Sequence, residues 1–432
     1  MKKNTLSKYL ILKIGQLKNE PVVKNIFSLG ILQLTNYIIP LITIPYLTRI
    51  LGLEKFGLIA LAQGLISFFL IITDFGFNTV STRAISIHKE NRDKLSEIFS
   101  ITILAQAMLG VISFVVLLLI VFLTPKFNTE KTLFINAFSL VLAQWIFPIW
   151  FFQGMQEMKF ITYFNLISKG VMLTLLLVFV TRPEQYMYVP FLYAAGNILS
   201  GITSHILIRS RFKIHFVMRP FQEILTNIKE SFPVFISAFS IVSGSNSGIL
   251  VLGFFGSDRV VGMYSIAEKV FQMARQILVV YSQAIYPRIC QLAIKSMNEL
   301  RYFLRIYFIP FLIIVTLMCF FVLLSAGFIT KLIIGRESEE VTFLIRVLML
   351  IPVIVCLNIP FYQTLLALDF RNIYMRVFVI GSLINVFLNF LLVPFFNSLG
   401  TCLSLIISEI FITSSFIFYI EKNRETSLLT NE

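Results

Sequence analysis

The chain has 432 residues, of which 57% are hydrophobic and 13% are charged, and its formal net charge is +14. Its mean hydropathy of +0.86 is far above that of soluble globular domains. These values exclude a soluble globular protein and predict an all-α integral membrane protein.

Apolar runs long enough to cross the membrane as a helix, roughly 20 residues each, recur along the whole chain. We count twelve of them, which predicts about twelve transmembrane helices. The four cysteines and three histidines are scattered and show no metal-binding spacing, so we expect no metal site, no cofactor and no catalytic residues. The runs lie near residues 26–49, 57–73, 97–124, 133–152, 160–181, 186–208, 232–255, 260–286, 304–327, 342–367, 374–395 and 400–420.

The basic residues are concentrated on one side of the predicted membrane. If the N-terminus is cytoplasmic, 24 of the 36 lysines and arginines fall on cytoplasmic segments. The positive-inside rule therefore predicts that both termini are cytoplasmic. The net charge reports membrane topology, and no nucleic-acid partner is expected.

Two segments of the chain resemble each other and predict an internal repeat. GLEKFGLIALAQ at 52–63 matches GSDRVVGMYSIAE at 256–268, and the offset of 205 residues also places Arg83 on Arg288. Since six spans separate the copies, the repeats are parallel, and we expect two six-helix lobes around a central cavity. The predicted parts are an amphipathic N-terminus 1–25, an N-terminal lobe 26–208, a cytoplasmic linker 209–231, a C-terminal lobe 232–420 and a cytoplasmic tail 421–432.

The eighth span carries a polar stripe. On a helix, Tyr264, Glu268, Gln272 and Arg275 fall within about 60° of one direction, and Lys269 flanks them. A charge at the membrane centre costs about 2.5–3.5 kcal/mol, so such charges face water or a partner. Two interpretations follow: the stripe is the wall of an aqueous cavity, or it is an ion-paired device that fixes the helix against its neighbours.

Further polar residues lie in other spans. Asn36 faces a polar side of the first span, and Lys169 lies inside the fifth. Asn385 and Asn389, one turn apart, predict an interhelical hydrogen bond. Cations outnumber acids in the interior, so the cavity should attract an anion such as phosphate, with Glu268 as the candidate proton carrier. The candidate substrate contacts are Arg275, Lys269, Gln272, Lys169, Arg83, Arg288, Arg49, Asn36 and Tyr264.

Several short motifs together resemble one known family. They are PYLTRILG (45–52), DFGFNTVSTRAIS (74–86), PIWFFQGMQEMK (148–159), GMYSIAEK (262–269) and QAIYPRI (283–289). Their order and spacing are similar to the Wzx-type O-antigen flippases, the polysaccharide biosynthesis proteins of the multidrug/oligosaccharidyl-lipid/polysaccharide exporter superfamily. In the third motif we interpret Trp150 and Phe152 as aromatic anchors at the membrane interface.

The resemblance implies a bacterial inner-membrane flippase rather than an enzyme. Such a protein moves undecaprenyl-diphosphate-linked oligosaccharide repeat units to the periplasmic leaflet for O-antigen or capsule, by alternating access coupled to proton antiport. A polysaccharide polymerase and a chain-length regulator are the implied protein partners, besides membrane lipids. A peptidoglycan-precursor flippase or a multidrug exporter of the same superfamily are the alternatives, and a membrane-embedded polymerase is less favoured because the loops are short.

Overall fold

The structure is a computed structural model that describes the backbone of residues 21–428 and the side chains of residues 38–422 except Ile294. Within these residues all regular structure is helical, including a 3-10 helix at Pro183–Tyr188. The α-helices are α1 Pro21–Asp74, α2 Phe77–Ile87, α3 Arg92–Leu123, α4 Pro125–Thr129, α5 Lys131–Ala137, α6 Ser139–Ile146, α7 Ile149–Gly154, α8 Met158–Phe179, α9 Val189–Arg211, α10 Phe221–Phe255, α11 Asp258–Lys295, α12 Met297–Ile334, α13 Glu339–Leu348, α14 Ile351–Ala367, α15 Arg371–Phe396 and α16 Ser398–Leu428.

The helices account for the predicted number of membrane spans. Ten segments of the described chain are long and apolar enough to cross a membrane. Gly52, with φ 76° and ψ 171°, breaks α1 into two arms, and both arms contribute to one of these segments, Ile38–Ile87. The 38-residue helix α11 is a further span whose charged residues lower its hydropathy. With both arms of α1 and α11 included, the described residues form twelve spans of a multi-pass membrane protein, which confirms the predicted fold class.

The N-termini of several helices are capped by the side chain of the serine or asparagine that directly precedes the helix. The Asn91 side chain accepts a hydrogen bond from the Lys94 backbone N–H at 3.1 Å at the start of α3. Ser257, Ser296 and Ser338 accept equivalent bonds at the starts of α11, α12 and α13. These side chains satisfy N–H groups that have no partner inside their own helix.

The contacts divide the described chain into two compact units. Unit 1 comprises residues 21–43, 69–181 and 187–235, and unit 2 comprises residues 44–68, 182–186 and 236–428. The predicted lobe boundaries differ from these units, which place residues 44–68 and 182–186 in unit 2 and residues 209–235 in unit 1. The predicted boundaries stay a prediction. The predicted amphipathic N-terminus lies largely outside the described residues, and so does the end of the predicted C-terminal tail.

Unit 1 is organised around an aromatic core. Phe99 of α3 packs against Trp150 and Phe151 of α7, with ring centroids 5.7 and 5.9 Å apart. Phe152 packs against Phe164 of α8. Trp150 and Phe152 are 2% and 0% exposed, so the expectation that they anchor the chain at the membrane interface is wrong. Their rings instead hold α7 inside the core of unit 1, where aromatic pairs contribute beyond their buried area.

Unit 2 contains the point at which the two repeats meet. A Cβ atom on Gly57 would lie 2.0 Å from the carbonyl oxygen of Asp258, and a Cβ atom on Gly262 would lie 2.0 Å from that of Leu53. Gly57 and Gly262 are 205 residues apart, and so are Leu53 and Asp258. Each repeat therefore contacts the other through the same two positions. Such a reciprocal contact is typical of a two-fold interface. Glycine is required at both positions because any side chain would meet the opposite backbone.

Candidate functional site

A cavity of about 550 Å³ lies inside unit 2. Its walls come from α10, α15 and α16, and α11 and α14 contribute one residue each, Arg275 and Leu366. Its lining includes serines and Gly244 of α10 and Tyr374 and Phe378 of α15. A second cavity of about 120 Å³ shares Arg275, Glu409, Tyr374 and Phe378 with the first. The interior of unit 2 therefore has room for a ligand beside a charged pair.

Arg275 and Glu409 form an ion pair at the point that both cavities share. Arg275 Nη2 lies 3.6 Å from Glu409 Oε1, and the two side chains are 30% and 10% exposed. The contact connects α11 to α16. Both interpretations of the stripe therefore apply to Arg275, since its guanidinium lines a cavity and also pairs with a neighbouring helix.

The first turns of the predicted stripe are enclosed by protein. Tyr264 and Glu268 are 1% and 6% exposed, and neither lines the two cavities described above. Glu268 interacts with Lys269 and Gln272 of its own helix. This part of α11 follows the glycine crossing at Gly262, where the helix is in close contact with α1. The structure thus brings Glu268, Lys269 and Gln272 together beside, and not within, the cavity of Arg275.

A polar cluster on α14 escaped the sequence interpretation. Gln363 Nε2 donates to the carbonyl and hydroxyl oxygens of Ser282 on α11, both at 2.6 Å. Tyr362 shares a hydrogen bond with the same Ser282 hydroxyl and lines the smaller cavity. The signal was available in the sequence, because Asn358 and Gln363 interrupt an otherwise apolar span.

Asn385 and Asn389 behave as expected from their spacing. Ser247 of α10 donates to Asn385 Oδ1 at 3.2 Å, and Asn389 Nδ2 donates to the same oxygen at 3.0 Å. The predicted interhelical hydrogen bond is confirmed. Because Asn385 also lines the larger cavity, this bond fixes one end of its wall.

The cations predicted near the membrane surfaces have local roles. The guanidinium of Arg49 donates to the carbonyl of Leu332 in the last turn of α12, where a positive charge is favourable. Arg288 Nη1 donates to Gln291 Oε1 at 3.1 Å, one turn further along α11. Neither residue lines the two cavities.

The remaining candidates lie in the other parts of the chain. Arg83 is exposed on α2 and Lys169 is half-buried on α8, both in unit 1. Asn36 is on α1, but its side chain lies outside the described residues. These three residues keep their assignment from the sequence as predictions.

Solved transporter structures share the fold over nearly the whole chain. An inward-facing structure of a multidrug resistance MATE family transporter of the MOP superfamily has a TM-score of 0.72, with 14% identity and coverage of 94% of this chain and 99% of that one. An inward closed structure of the lipid II flippase MurJ has a TM-score of 0.71, with 13% identity and coverage of 91% and 87%. The chain therefore shares the helical fold of these two solved transporters.

Sequence comparison identifies the family to which the chain belongs. A family model described as "Polysaccharide biosynthesis protein" matches residues 22–293, and the chain belongs to this family. It is 25% identical over 402 residues to the proposed O-antigen transporter of Escherichia coli (strain K12), covering 93% of this chain and 97% of that one. The corresponding Shigella dysenteriae protein is 26% identical over 398 residues, with coverage of 90% and 97%. The family resemblance seen in the motifs is confirmed.

Proposed function

We propose that this protein is a flippase that moves undecaprenyl-diphosphate-linked oligosaccharide repeat units from the cytoplasmic to the periplasmic leaflet of the bacterial inner membrane. The observation that carries the proposal is the similarity, over 90% and 93% of the chain, to two proteins described as proposed O-antigen transporters. The product would enter O-antigen or capsule synthesis, where a polymerase and a chain-length regulator are the expected partners. The protein would act as a transporter and not as an enzyme, with both termini in the cytoplasm.

The cavity chemistry in unit 2 supports an anionic substrate. Arg275 and Arg371 are the cations of its lining, and Glu409 is its acid. A guanidinium presents a planar fork of N–H donors that matches the oxygens of a phosphate group. Arg275 is therefore the proposed diphosphate contact. Lys269 and Gln272, next to it on α11, and Lys169 in unit 1 are further proposed substrate contacts.

Deletion of the gene tests the proposed function. We expect lipid-linked repeat units to accumulate in the cytoplasmic leaflet and surface polymer to be lost, because translocation must precede polymerisation outside. The measurement is the accessibility of the lipid-linked sugars to a periplasmic probe, together with the amount of surface polysaccharide. A deletion strain with normal surface polysaccharide would refute the proposal.

The alternative with most support is a peptidoglycan-precursor flippase, because a structure described as the lipid II flippase MurJ shares the fold. Expression of this chain in cells depleted of their lipid II flippase separates the two. The repeat-unit function predicts no rescue of growth, whereas sustained growth would favour the alternative. A multidrug exporter of cations fits less well, since arginines outnumber acids in the cavity lining.

Proton coupling through Glu268 is tested by Glu268→Gln. The amide keeps the shape and the contact with Gln272 but cannot release a proton. If Glu268 carries the proton, the variant loses most of the dependence of transport on pH, as measured in proteoliposomes over a series of external pH values. Glu299→Gln is the matched control, since Glu299 forms an exposed pair with Lys295. If the pH dependence of transport in Glu268→Gln matched that of the wild type, another group would carry the proton.

A further inference from the structure

Glu409 and Arg275 are the two charged side chains that line both cavities of unit 2. Their 3.6 Å separation is longer than the roughly 2.7–2.9 Å of a strong charge-assisted hydrogen bond. A guanidinium carries five N–H donors, and this long contact occupies few of them. Arg275 is therefore held near Glu409 while its fork remains open to another acceptor in the cavity.

We infer that Glu409 and the anionic substrate compete for Arg275, so that a phosphate group bound to the guanidinium displaces the Glu409 carboxylate, which then takes up a proton. This inference rests on the proposed function and adds a residue that links substrate binding to protonation. One O–H bond forms on Glu409, with the proton taken from the buffer acid in the surrounding solution, which is left as its conjugate base. The guanidinium keeps its charge throughout and donates its N–H groups to phosphate oxygens in place of the carboxylate.

The surroundings of Glu409 explain why the displaced carboxylate binds a proton. The side chain is 10% exposed, and its cavity is also lined by apolar residues such as Leu405 and Ile412 of the same helix. An ionised carboxylate without a partner is costly in such a place, and neutralisation removes that cost. Loss of Arg275 to the substrate therefore changes the protonation state of Glu409 and leaves its position in α16 unchanged.

Among the groups around Glu409, Arg275 is the charge that determines whether Glu409 is ionised. The wall from α10 contributes serines without a titratable group, and Arg346 of α13 is turned towards the Leu323 carbonyl of α12. Glu268 lies outside both cavities. The titratable residues that share a cavity with Glu409 are Arg275 of α11, Tyr362 of α14, and Arg371 and Tyr374 of α15.

The exchange couples the anion and the proton in a defined sense. Each favours binding of the other, because a proton on Glu409 frees Arg275 and an anion on Arg275 frees Glu409 for protonation. Affinity for the anion therefore falls as the pH rises and Glu409 becomes ionised. The proton on Glu409 is bound together with the anion. A proton that moves in the direction opposite to the substrate requires a second carboxylate, and this is the role proposed above for Glu268.

Calorimetry of the full-length protein in detergent tests the exchange, with undecaprenyl diphosphate as the probe. Titrations in two buffers of different protonation enthalpy give the number of protons taken up. We expect close to one proton per ligand in the wild type and none in Glu409→Gln. The same variant should bind about tenfold more tightly, because the competitor of the anion is removed. Protonation of the ligand itself is common to both proteins and cancels in their difference.

Two further variants make the result specific. Glu409→Asp keeps a carboxylate at this position, so it should retain proton uptake, and it serves as the test if the glutamine variant does not fold. Glu299→Gln should also retain uptake, because Glu299 forms an exposed pair with Lys295 and lines neither cavity. Unchanged proton uptake in Glu409→Gln, weaker binding by that variant, or no binding of the probe by the wild type would overturn the inference. Normal surface polysaccharide after gene deletion would instead refute the proposed function while leaving proton-linked binding intact.

Discussion

Arg275→Ala is expected to abolish transport of lipid-linked repeat units while the protein stays abundant in the membrane. The substitution removes the proposed diphosphate contact, and loss of a charge-assisted hydrogen bond typically costs about 1.5–3 kcal/mol, or roughly tenfold to more than a hundredfold in affinity. Glu409 loses its partner at 3.6 Å and can avoid an unpaired buried charge by binding a proton. Transport is measured as surface polymer in a deletion strain that carries the variant, and abundance by immunoblot of membranes.

The double variant Arg275→Ala/Glu409→Gln separates substrate binding from a purely structural pair. It removes both charges and therefore removes the cost of an unpaired carboxylate. If Arg275 contacts the substrate, the double variant is abundant and still inactive. Recovery of transport in the double variant would show that Arg275 only fixes α11 against α16. Lys295→Ala, at an exposed pair on the same helix, is the control for loss of a cation as such and should transport normally.

Gly57→Ala should destabilise the protein strongly. Its new methyl group would lie 2.0 Å from the carbonyl oxygen of Asp258, which is backbone and cannot rotate away as a side chain could. Overpacking usually costs about 1–3 kcal/mol, and a backbone clash places this variant near the upper end, at about 3 kcal/mol. We expect a lower midpoint of thermal unfolding in detergent and less protein in the membrane. Gly262→Ala should have the same effect, because its Cβ would meet the Leu53 carbonyl at the same distance.

Gly327→Ala is the matched control for this prediction. Gly327 lies inside α12, and no atom comes within 4 Å of a Cβ placed there. Alanine is favoured over glycine in a helix by about 0.5–1 kcal/mol, so this variant should unfold at the wild-type temperature or slightly above it. If Gly57→Ala were as stable as Gly327→Ala, the close crossing of the two repeats would be incorrect.

Much of the fold could be predicted from the sequence because membrane spans have a simple signature. The twelve apolar runs of the sequence correspond to the twelve spans of the described chain. The packing of Trp150 and Phe152 could not be predicted in this way. An aromatic residue near a span end is equally compatible with the lipid interface and with a protein core, and only the neighbouring helices decide between them.

Arg275 is the predicted substrate contact that lines the cavities of unit 2, but its contacts could not be predicted from the sequence. Arg275 stood out as an intramembrane cation, yet its partner Glu409 lies 134 residues further along the chain. Periodicity describes one helix at a time and carries no information about which helices meet. For the same reason Arg49 was assigned to substrate, although its guanidinium binds a carbonyl at the end of α12, and Gln363 was overlooked although it binds Ser282.

The reciprocal crossing of Gly57 and Gly262 has the symmetry of a homodimer. In a homodimer of a half-length ancestor, a single glycine in the sequence would have formed this contact, because each of the two identical subunits would carry that glycine. In such an ancestor every mutation would change both subunits at once. Once duplicated and fused, each copy can change alone, and this freedom accounts for a neutral Gln63 in one repeat and an acidic Glu268 at the matching place in the other.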